Sequence, residues 1–346
     1  MTDPAPWAGL DPNDPLEDLH GGDLGWAADA YRRHVSDWLD LSTGINWLAY
    51  TVPPVPDAAW RELPAKGALE GLCAAAADVY GAGAGTAVVA APGTQAIIQA
   101  PPALNRPARV TILGPTYFEH EKCWRGAGVP VEASADLPPL DRSVVVDNPN
   151  NPDGRIVSPE RLADWAGRAA RAGHVLIVDE AFADVTPEVS LAPHLPLPNV
   201  VVLRSFGKFY CLAGLRLGFA LGGDRLIRDL EARLGPWAVS GPALAVRRAA
   251  FADAAWAAEA RRRLAGDRAQ LESMIAGAGL DIAGSTDLFV LGAGSRAPLV
   301  WEALARSDIL VRRFIDRPDY LRFGLPGPED EWRRLADALN GGAAGR

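Results

Sequence analysis

The sequence predicts an α/β protein with a mostly parallel sheet flanked by helices, followed by a smaller α+β domain. Between residues 87 and 203, short apolar runs rich in β-branched residues alternate with helical patterns, and each run ends in polar or turn-forming residues. Strands that alternate with helices imply right-handed crossovers and parallel neighbours. After Gly222-Gly223 the composition changes to long Ala- and Arg-rich helical segments followed by short strand-like runs, which indicates a second domain.

The predicted elements follow in order along the chain. A helical pattern near 27–34 precedes a short strand that starts at Trp38 and runs into the polar loop Ser42–Asn46. Runs typical of buried strands lie at 87–90, 110–113, 143–146, 174–178 and 200–203. Helical periodicity covers 68–80, 159–172, 224–234, 298–306, 329–339 and a long stretch over 243–278 with an expected break near Gly266. The later strands are expected at 287–291, 309–314 and 320–323.

Composition limits the possible function classes. With 346 residues and 49% hydrophobic content, the chain can bury a large core and form two lobes. A formal net charge of -9 argues against nucleic acid or an anionic membrane as the main partner. The three cysteines lack CxxC spacing and the five histidines are scattered, so neither a disulfide framework nor a metal site is predicted. The chain shows no signal peptide and no membrane-spanning run, so we expect it in the cytoplasm.

One stretch after a predicted strand contains the groups of a covalent-catalysis site. Ser205, Lys208 and Arg216 follow the apolar run 200–203 within a glycine-bearing loop. Apolar surroundings favour an uncharged, nucleophilic amine on a lysine. A serine hydroxyl and an arginine fork are suited to binding a phosphate. Taken alone, the stretch is equally compatible with a charged surface turn.

Other polar groups follow other predicted strands. Gly93-Thr94-Gln95 forms a turn into a helix, where free N–H groups can receive an anion. Tyr117, Asn151 and Asp179 each lie just past a strand. Each is individually compatible with a helix cap or an ordinary turn. In parallel sheets, however, ligands bind beyond the carboxyl ends of the strands, so the set is expected to converge on one rim.

Pyridoxal phosphate explains the whole set, because it needs a lysine, an acid at its ring nitrogen and an anion cradle for its phosphate. Lys208 would form the Schiff base, and Asp179 would keep the ring nitrogen protonated. Asn151 can donate to the phenolate oxygen, and Tyr117 can stack on the ring. The phosphate is assigned to Gly93, Thr94, Gln95, Ser205 and Arg216.

The motifs resemble those of the class II, fold type I aminotransferase family. The similar segments are Ser205–Lys208 with Gly214–Gly218, Asn150–Gly154 and Val178–Phe182, and the agreement extends from about residue 38 to the C-terminus. The resemblance implies a large pyridoxal-phosphate domain with a seven-stranded-type sheet, predicted over 38–235. It also implies a small C-terminal domain over 236–346, an N-terminal arm over 1–37 that joins the small domain and the active site, and a homodimer.

Within this family, the resemblance is strongest to threonine-phosphate decarboxylases of cobalamin biosynthesis. It rests on segments 20–23, 41–46, 91–96 and 320–326. It implies decarboxylation of L-threonine O-3-phosphate to (R)-1-amino-2-propanol O-2-phosphate, with histidinol-phosphate aminotransferase as the alternative. Arg322 is the candidate for the substrate carboxylate, and the candidates for the substrate phosphate are His20, Gly21, Gly22, Asn46 and Arg312.

Three positions depart from the family pattern. Cys211 stands where a glycine is usual, and Phe182 stands where many aminotransferases have a tyrosine near the phenolate. Leu63-Pro64 replaces the Tyr-Pro that reaches the neighbouring subunit in many relatives. A regulator that reuses this domain would need an attached DNA-binding module, and the short acidic leader offers neither the length nor the basic charge.

Overall fold

The computed structural model describes residues 21–101 and 107–343, which divide into two compact units. One unit is Ala49–Arg261, and the other combines the chain up to Leu48 with the chain from Arg262 onward. The ends of these units lie near residues 48 and 261, whereas the predicted division lies at residues 37 and 235. The predicted three-part division stays a prediction, because compactness alone does not test which segments fold or move as one body.

The strands are numbered along the chain and form two sheets. Their bounds are β1 (Leu39–Leu41), β2 (Ala87–Ala91), β3 (Val110–Leu113), β4 (Val131–Ser134), β5 (Ser143–Asp147), β6 (Leu176–Asp179), β7 (Val200–Ser205), β8 (Gly218–Gly222), β9 (Asp281–Thr286), β10 (Phe289–Ala293), β11 (Ile309–Arg313) and β12 (Tyr320–Gly324). Every apolar run expected to form a strand between residues 87 and 203 does so.

The unit Ala49–Arg261 contains a seven-stranded sheet in the order β2-β8-β7-β6-β5-β3-β4. Its strands run parallel except β8, which is antiparallel to both of its neighbours. Strands β5, β6 and β7 are buried along their whole length, as the near-continuous Val, Ile and Leu runs of parallel strands predict. Parallel register brings the carboxyl ends of β5, β6 and β7 to one edge of the sheet.

The other unit contains a five-stranded sheet in the order β1-β11-β12-β10-β9. Strand β1 pairs in parallel with β11, and the remaining pairs are antiparallel. The N-terminal strand is thus hydrogen-bonded to a strand that follows it by about 270 positions, with Leu39 opposite Ile309. The antiparallel pairs confirm the α+β character expected for the C-terminal part of the chain.

The described helices are numbered separately, again in chain order. They are α1 (Leu24–Tyr31), α2 (Asp57–Arg61), α3 (Lys66–Val79), α4 (Thr94–Ile98), α5 (Phe118–Gly126), α6 (Pro159–Ala169), α7 (Phe206–Phe209), α8 (Asp224–Leu234), α9 (Gly241–Ala252), α10 (Ala254–Gly277), α11 (Ala297–Arg306) and α12 (Glu329–Ala343). Among them, none combines the length and the apolar character that crossing a membrane requires.

The break expected near Gly266 was wrong, because α10 continues through that residue. The chain breaks instead at Asp253, whose Oδ1 accepts the N–H of Trp256 at 2.9 Å and so caps α10. No atom of the residues 21–101 and 107–343 outside its own helix backbone lies within 4 Å of the position where a Cβ of Gly266 would stand. A glycine at an exposed position destabilises a helix by only about 1 kcal/mol, so the helix can continue through Gly266. The break falls instead at a residue whose side chain can cap the next helix.

Candidate active site

The predicted cofactor lysine lies in a tightly packed turn. Strand β7 ends at Ser205, and the short helix α7 places Lys208 one turn later. A Cβ on Gly207 would stand 2.8 Å from the Cα of Ala213, so only glycine lets the two backbone segments approach this closely. Lys208 Nζ lies 4.8 Å from the centroid of the Phe182 ring. The amine therefore faces an aromatic wall, as the apolar setting predicted from the sequence requires.

The groups assigned to the cofactor phosphate are brought together from three parts of the chain. Gly93 has a φ of 86°, and a Cβ there would stand 2.6 Å from Arg216 Nη2. A Cβ on Gly218 would stand 2.7 Å from the backbone nitrogen of Thr94. Ser205 pairs with Gly218 across β7 and β8. Because these two glycines lack a side chain, Thr94, Arg216 and Ser205 can approach one another. The binding of a phosphate by these three residues stays a prediction.

Tyr117 connects the Gly93–Gln95 turn to the neighbouring strand ends. Its hydroxyl donates to Gln95 Oε1 at 3.4 Å, and its backbone N–H donates to Asp147 Oδ2 at 3.4 Å. Gln95 in turn donates through Nε2 to the buried carboxylate of Glu119. These bonds hold the Tyr117 ring at the beginning of α5, half-buried. The placement is compatible with the predicted stacking role, which remains a prediction.

Asp179 ends β6 and is buried with both carboxylate oxygens in contact. Oδ1 accepts the N–H of Ala181 at 3.0 Å, and Oδ2 lies 3.1 Å from His120 Nε2. The same His120 nitrogen lies 3.1 Å from Asp147 Oδ1. Burial alone lowers the pKa of His120, but the charges and hydrogen bonds of the two carboxylates raise it to about 10.

Sequence reasoning missed His120 and Asp147. A signal was available, since Asp147 directly ends an apolar strand in the same way as Asp179. His120 gave no comparable signal, because a lone histidine within a helix is most often an ordinary side chain. Its place between two carboxylates depends on how α5 packs against the sheet.

Asn151 lies in the loop that follows β5 and is half-buried. Neighbouring amides fix this loop: Asn150 Nδ2 donates to Pro115 O at 2.9 Å and to Asp153 Oδ1 at 2.7 Å. Asn148 exchanges two hydrogen bonds with the backbone of Val157, at 2.9 and 3.1 Å. The loop expected from the Asn-Pro turn signals is therefore held by side chains.

A buried ion cluster, which we call the strand-end ion cluster, consists of Glu180, Arg204 and Asp184. Arg204 Nη1 donates to Glu180 Oε2 at 2.7 Å, and Nη2 donates to Asp184 Oδ1. The Arg204 guanidinium also lies 4.3 Å from the centroid of the Tyr80 ring. Because Glu180 follows Asp179 and Arg204 precedes Ser205, the cluster ties together the ends of the two strands that bear these candidate cofactor residues.

The predicted substrate residues lie in the other unit. Arg322 is buried on β12 and donates through Nη2 to Ser42 O at 2.8 Å. Gly22 N donates to Ser42 Oγ at 2.7 Å, and a Cβ on Gly21 would stand 2.5 Å from Ser42 O. The structure thus brings Gly21, Gly22 and Arg322 together around Ser42. His20 lies outside the described residues.

Asn46 and Arg312 have different surroundings. Asn46 is fully buried, and its Oδ1 accepts from Leu48 N at 3.0 Å and from Arg263 Nη2 at 3.2 Å. Arg312 stands opposite Arg322 across β11 and β12. Directly opposed side chains point to the same face of a sheet, so both arginines share one face. Substrate binding by these residues stays a prediction.

The residues of the unit Ala49–Arg261 fit pyridoxal phosphate. The unit holds an amine against an aromatic ring, buried carboxylates at two adjacent strand ends and an arginine beside a glycine cradle. Among the described residues, Asp147 Oδ1 is buried without a well-aligned hydrogen-bond donor, although His120 Nε2 lies 3.1 Å away.

Comparisons with known proteins place the chain in a family. The family model for aminotransferase class I and II matches residues 63–339. Threonine-phosphate decarboxylase from Pseudomonas aeruginosa is 44% identical over 328 residues, which cover 93% of this chain and 97% of that protein. A protein of the same name from Sinorhizobium sp is 43% identical over 326 residues. Histidinol-phosphate aminotransferase from Citrifermentans bemidjiense is 34% identical over 207 residues, which cover 58% of this chain and 57% of that protein.

Solved structures with the same architecture include two relatives of these proteins. Histidinol-phosphate aminotransferase from Sinorhizobium meliloti, in complex with pyridoxal-5'-phosphate, superposes with a TM-score of 0.77 at 21% identity and covers 94% of this chain and 96% of that chain. L-threonine-O-3-phosphate decarboxylase from Porphyromonas gingivalis gives a TM-score of 0.70 at 20% identity and covers 87% of this chain and 98% of that chain. Both likenesses concern the fold. Together with the family match and the near-full-length identity of 44%, they show that this chain belongs to the class I and II aminotransferase family and has the fold type I architecture.

Proposed function

We propose that this chain is a pyridoxal-phosphate-dependent carboxy-lyase that converts L-threonine O-3-phosphate to (R)-1-amino-2-propanol O-2-phosphate and carbon dioxide, a step of cobalamin biosynthesis. One observation carries the proposal. The relatives named threonine-phosphate decarboxylase match 93% of the chain at 43–44% identity, whereas the histidinol-phosphate aminotransferase matches 58% at 34%. Lys208, Asp179 and Arg216 support the choice of cofactor, which both candidate reactions use, and the choice of reaction rests on the relatives.

When bound, pyridoxal phosphate supplies an electron sink that stabilises negative charge on the substrate Cα. The chain's own residues would hold and orient this group. Lys208 would attach it covalently, and Asp179 would accept a hydrogen bond from the protonated ring nitrogen. Asn151 would donate to the phenolate oxygen, and Tyr117 would cover the ring. The phosphate would be held by Gly93, Thr94, Gln95, Ser205 and Arg216.

The remaining roles concern the substrate. Arg322 binds the substrate carboxylate, since its planar fork suits a carboxylate and its Nη2 is already oriented by Ser42 O at 2.8 Å. The substrate phosphate is assigned to His20, Gly21, Gly22, Asn46 and Arg312. After carbon dioxide leaves, Lys208 Nζ donates a proton to the substrate Cα. The net change is the replacement of a carboxylate by a hydrogen.

We also propose a homodimer. Trp60 is 68% exposed and Leu63 is 67% exposed, so two large apolar side chains lie near each other in sequence on the surface of a single chain. Paired burial of such residues is a common reason for association. Light scattering during gel filtration, compared between wild type and the variant Leu63→Glu, tests this proposal: a monomeric wild type would contradict it.

The decisive experiment measures two products from the purified protein loaded with pyridoxal phosphate. We expect carbon dioxide from threonine phosphate, with no glutamate from histidinol phosphate plus 2-oxoglutarate. Glutamate formation without carbon dioxide release would replace the decarboxylase proposal with the aminotransferase alternative. The variant Arg322→Lys serves as a probe of the substrate assignment, because lysine keeps the charge but loses the two-pronged donor.

A further inference from the structure

Two carboxylates and one imidazole form a buried cluster at the edge of the large sheet. Asp147 and Asp179 occupy paired positions at the ends of the parallel strands β5 and β6. His120 reaches them from α5, and its Nε2 lies 3.1 Å from an oxygen of each. All three side chains are at least nine-tenths buried. The family roles proposed above assign a function to Asp179 alone.

The two carboxylates differ in the geometry of their contacts with His120. His120 Nε2 lies in hydrogen-bonding geometry with Asp179 Oδ2, and as an imidazolium His120 would carry one hydrogen on that nitrogen. Within the part of the chain that the structure describes, Asp147 Oδ1 is buried without a well-aligned donor, while its other oxygen accepts the Tyr117 N–H at 3.4 Å. Asp147 Oδ1 nonetheless lies 3.1 Å from His120 Nε2, and its charge and its contact with that nitrogen both raise the pKa of His120. A buried carboxylate stays ionised only beside a cation or hydrogen-bond donors, because burial otherwise favours its protonated form.

The charges of the three side chains determine the net charge of the cluster. Two adjacent buried carboxylates repel, and burial raises the pKa of Asp147. An imidazolium between them neutralises one charge and leaves one negative charge at the sheet edge. A ring nitrogen that carries a proton would neutralise the second charge, whereas an unprotonated ring nitrogen would leave it unbalanced. The Tyr117 ring, whose centroid lies 6.2 Å from that of His120, adds no charge of its own.

We propose that Asp147 is a positioning residue that holds His120 as an imidazolium, so that the cluster of Asp147, His120 and Asp179 retains one negative charge and selects the protonated form of the cofactor ring. The charge-selection part rests on the proposed pyridoxal phosphate site. The imidazolium part concerns the protein alone and holds whichever reaction the enzyme catalyses.

The first test follows histidine titration in the cofactor-free protein by nitrogen-15 NMR of labelled imidazoles. The His120 resonance is assigned from its loss in His120→Gln. We expect the wild-type His120 to remain an imidazolium up to about pH 9 and to titrate at about 10. In Asp147→Asn its midpoint should fall by about 1–3 pH units, and Asp147→Glu should restore most of that shift.

The matched control is Asp136→Asn, because Asp136 pairs with Arg161 at 2.6 Å on the surface and is far more exposed than Asp147. It should leave the His120 midpoint unchanged. A wild-type His120 that titrates near 6.5, or an Asp147→Asn variant that leaves the midpoint unchanged, would overturn the proposal. If Asp147→Asn fails to fold, the titration of the wild-type protein still tests whether His120 is an imidazolium.

The second test uses cofactor labelled with nitrogen-15 at the ring. We expect the wild-type ring nitrogen to stay protonated across about pH 6–9, and the Asp147→Asn variant to lose that proton at a pH lower by about 1–3 units. An unchanged ring titration in Asp147→Asn would overturn the charge-selection part. Absence of decarboxylation with normal ring and His120 titrations would instead contradict the proposed reaction. A divalent metal retained by the cofactor-free protein at this cluster would also overturn the proposal, because the three donor atoms lie within 4.8 Å of one another.

Discussion

Replacing Gly93 by alanine tests the phosphate cradle through two separable effects. At a φ of 86° and a ψ of 160° a residue with a Cβ is strained, at a cost of about 1–3 kcal/mol in folding free energy. The new Cβ would also stand 2.6 Å from Arg216 Nη2, so the guanidinium must move. Arg216 Nη1 donates to Ala213 O at 3.1 Å. Because the Arg216 side chain is flexible, it can move away from the new Cβ more easily than a backbone segment could.

The displacement of Arg216 should weaken cofactor binding. A hydrogen bond to a charged group contributes about 1.5–3 kcal/mol, so its loss raises the dissociation constant of pyridoxal phosphate by about 10- to 100-fold. Urea unfolding of the cofactor-free protein measures the strain, and a fluorescence titration with pyridoxal phosphate measures the affinity. The two measurements keep backbone strain and lost phosphate contact apart.

Gly214→Ala is the matched control, because Gly214 lies in the same loop as Arg216 and a Cβ there would meet no neighbour within 4 Å among the described residues. We expect Gly214→Ala to bind the cofactor like wild type. A Gly93→Ala protein with unchanged cofactor affinity would refute the placement of the phosphate beside Arg216. A change in stability without a change in affinity would mean that the glycine serves the turn alone.

Three further predictions follow from the site. Lys208→Ala should abolish turnover and the visible absorbance that arises from the covalent link between this lysine and the cofactor, and retention of that absorbance would exclude this lysine. Arg204→Met should lower the free energy of unfolding by about 3–5 kcal/mol, because it leaves the two carboxylates of the strand-end ion cluster uncompensated, whereas the exposed Arg161→Met should change it little. Since the pKa of His120 is raised from 6.5 to about 10, its stabilisation is fully present below about pH 6.5 and is lost as the pH rises through about 10. Urea unfolding across this range should show a decline in wild type that is reduced in His120→Gln, and parallel profiles would contradict the assignment.

Local sequence patterns identified most, but not all, of the strands. Strand β8 was missed because Gly218-Phe-Ala-Leu-Gly222 is a short apolar run bounded by glycines, a pattern that also fits a loop. Strand β4 was missed because the polar residues of Val131–Ser134 lie partly exposed at the sheet edge. An edge strand, or an antiparallel strand within a parallel sheet, forms because of the strands with which it pairs. A local sequence pattern carries no information about those partners.

The sequence by itself determined the alternation of strands and helices, and it determined which polar groups end the buried strands. Both properties are local, since hydrophobic periodicity and turn chemistry act within a few residues. Lys208, Asp179 and the Gly93-Thr94 turn could therefore be recognised as a set. The strand pairing of the five-stranded sheet was harder to predict from local patterns, because β1 pairs with a strand from the other end of the chain.

Only the tertiary structure decided which side chains meet. The Asp147–Asp179 register and the approach of His120 depend on strand pairing and on the packing of α5, and neither is encoded in adjacent residues. The contact between Gly93 and Arg216 likewise joins segments more than a hundred residues apart. Charge balance at the sheet edge is a property of distances of about 3 Å between atoms from three elements, and for that reason it appears only after folding.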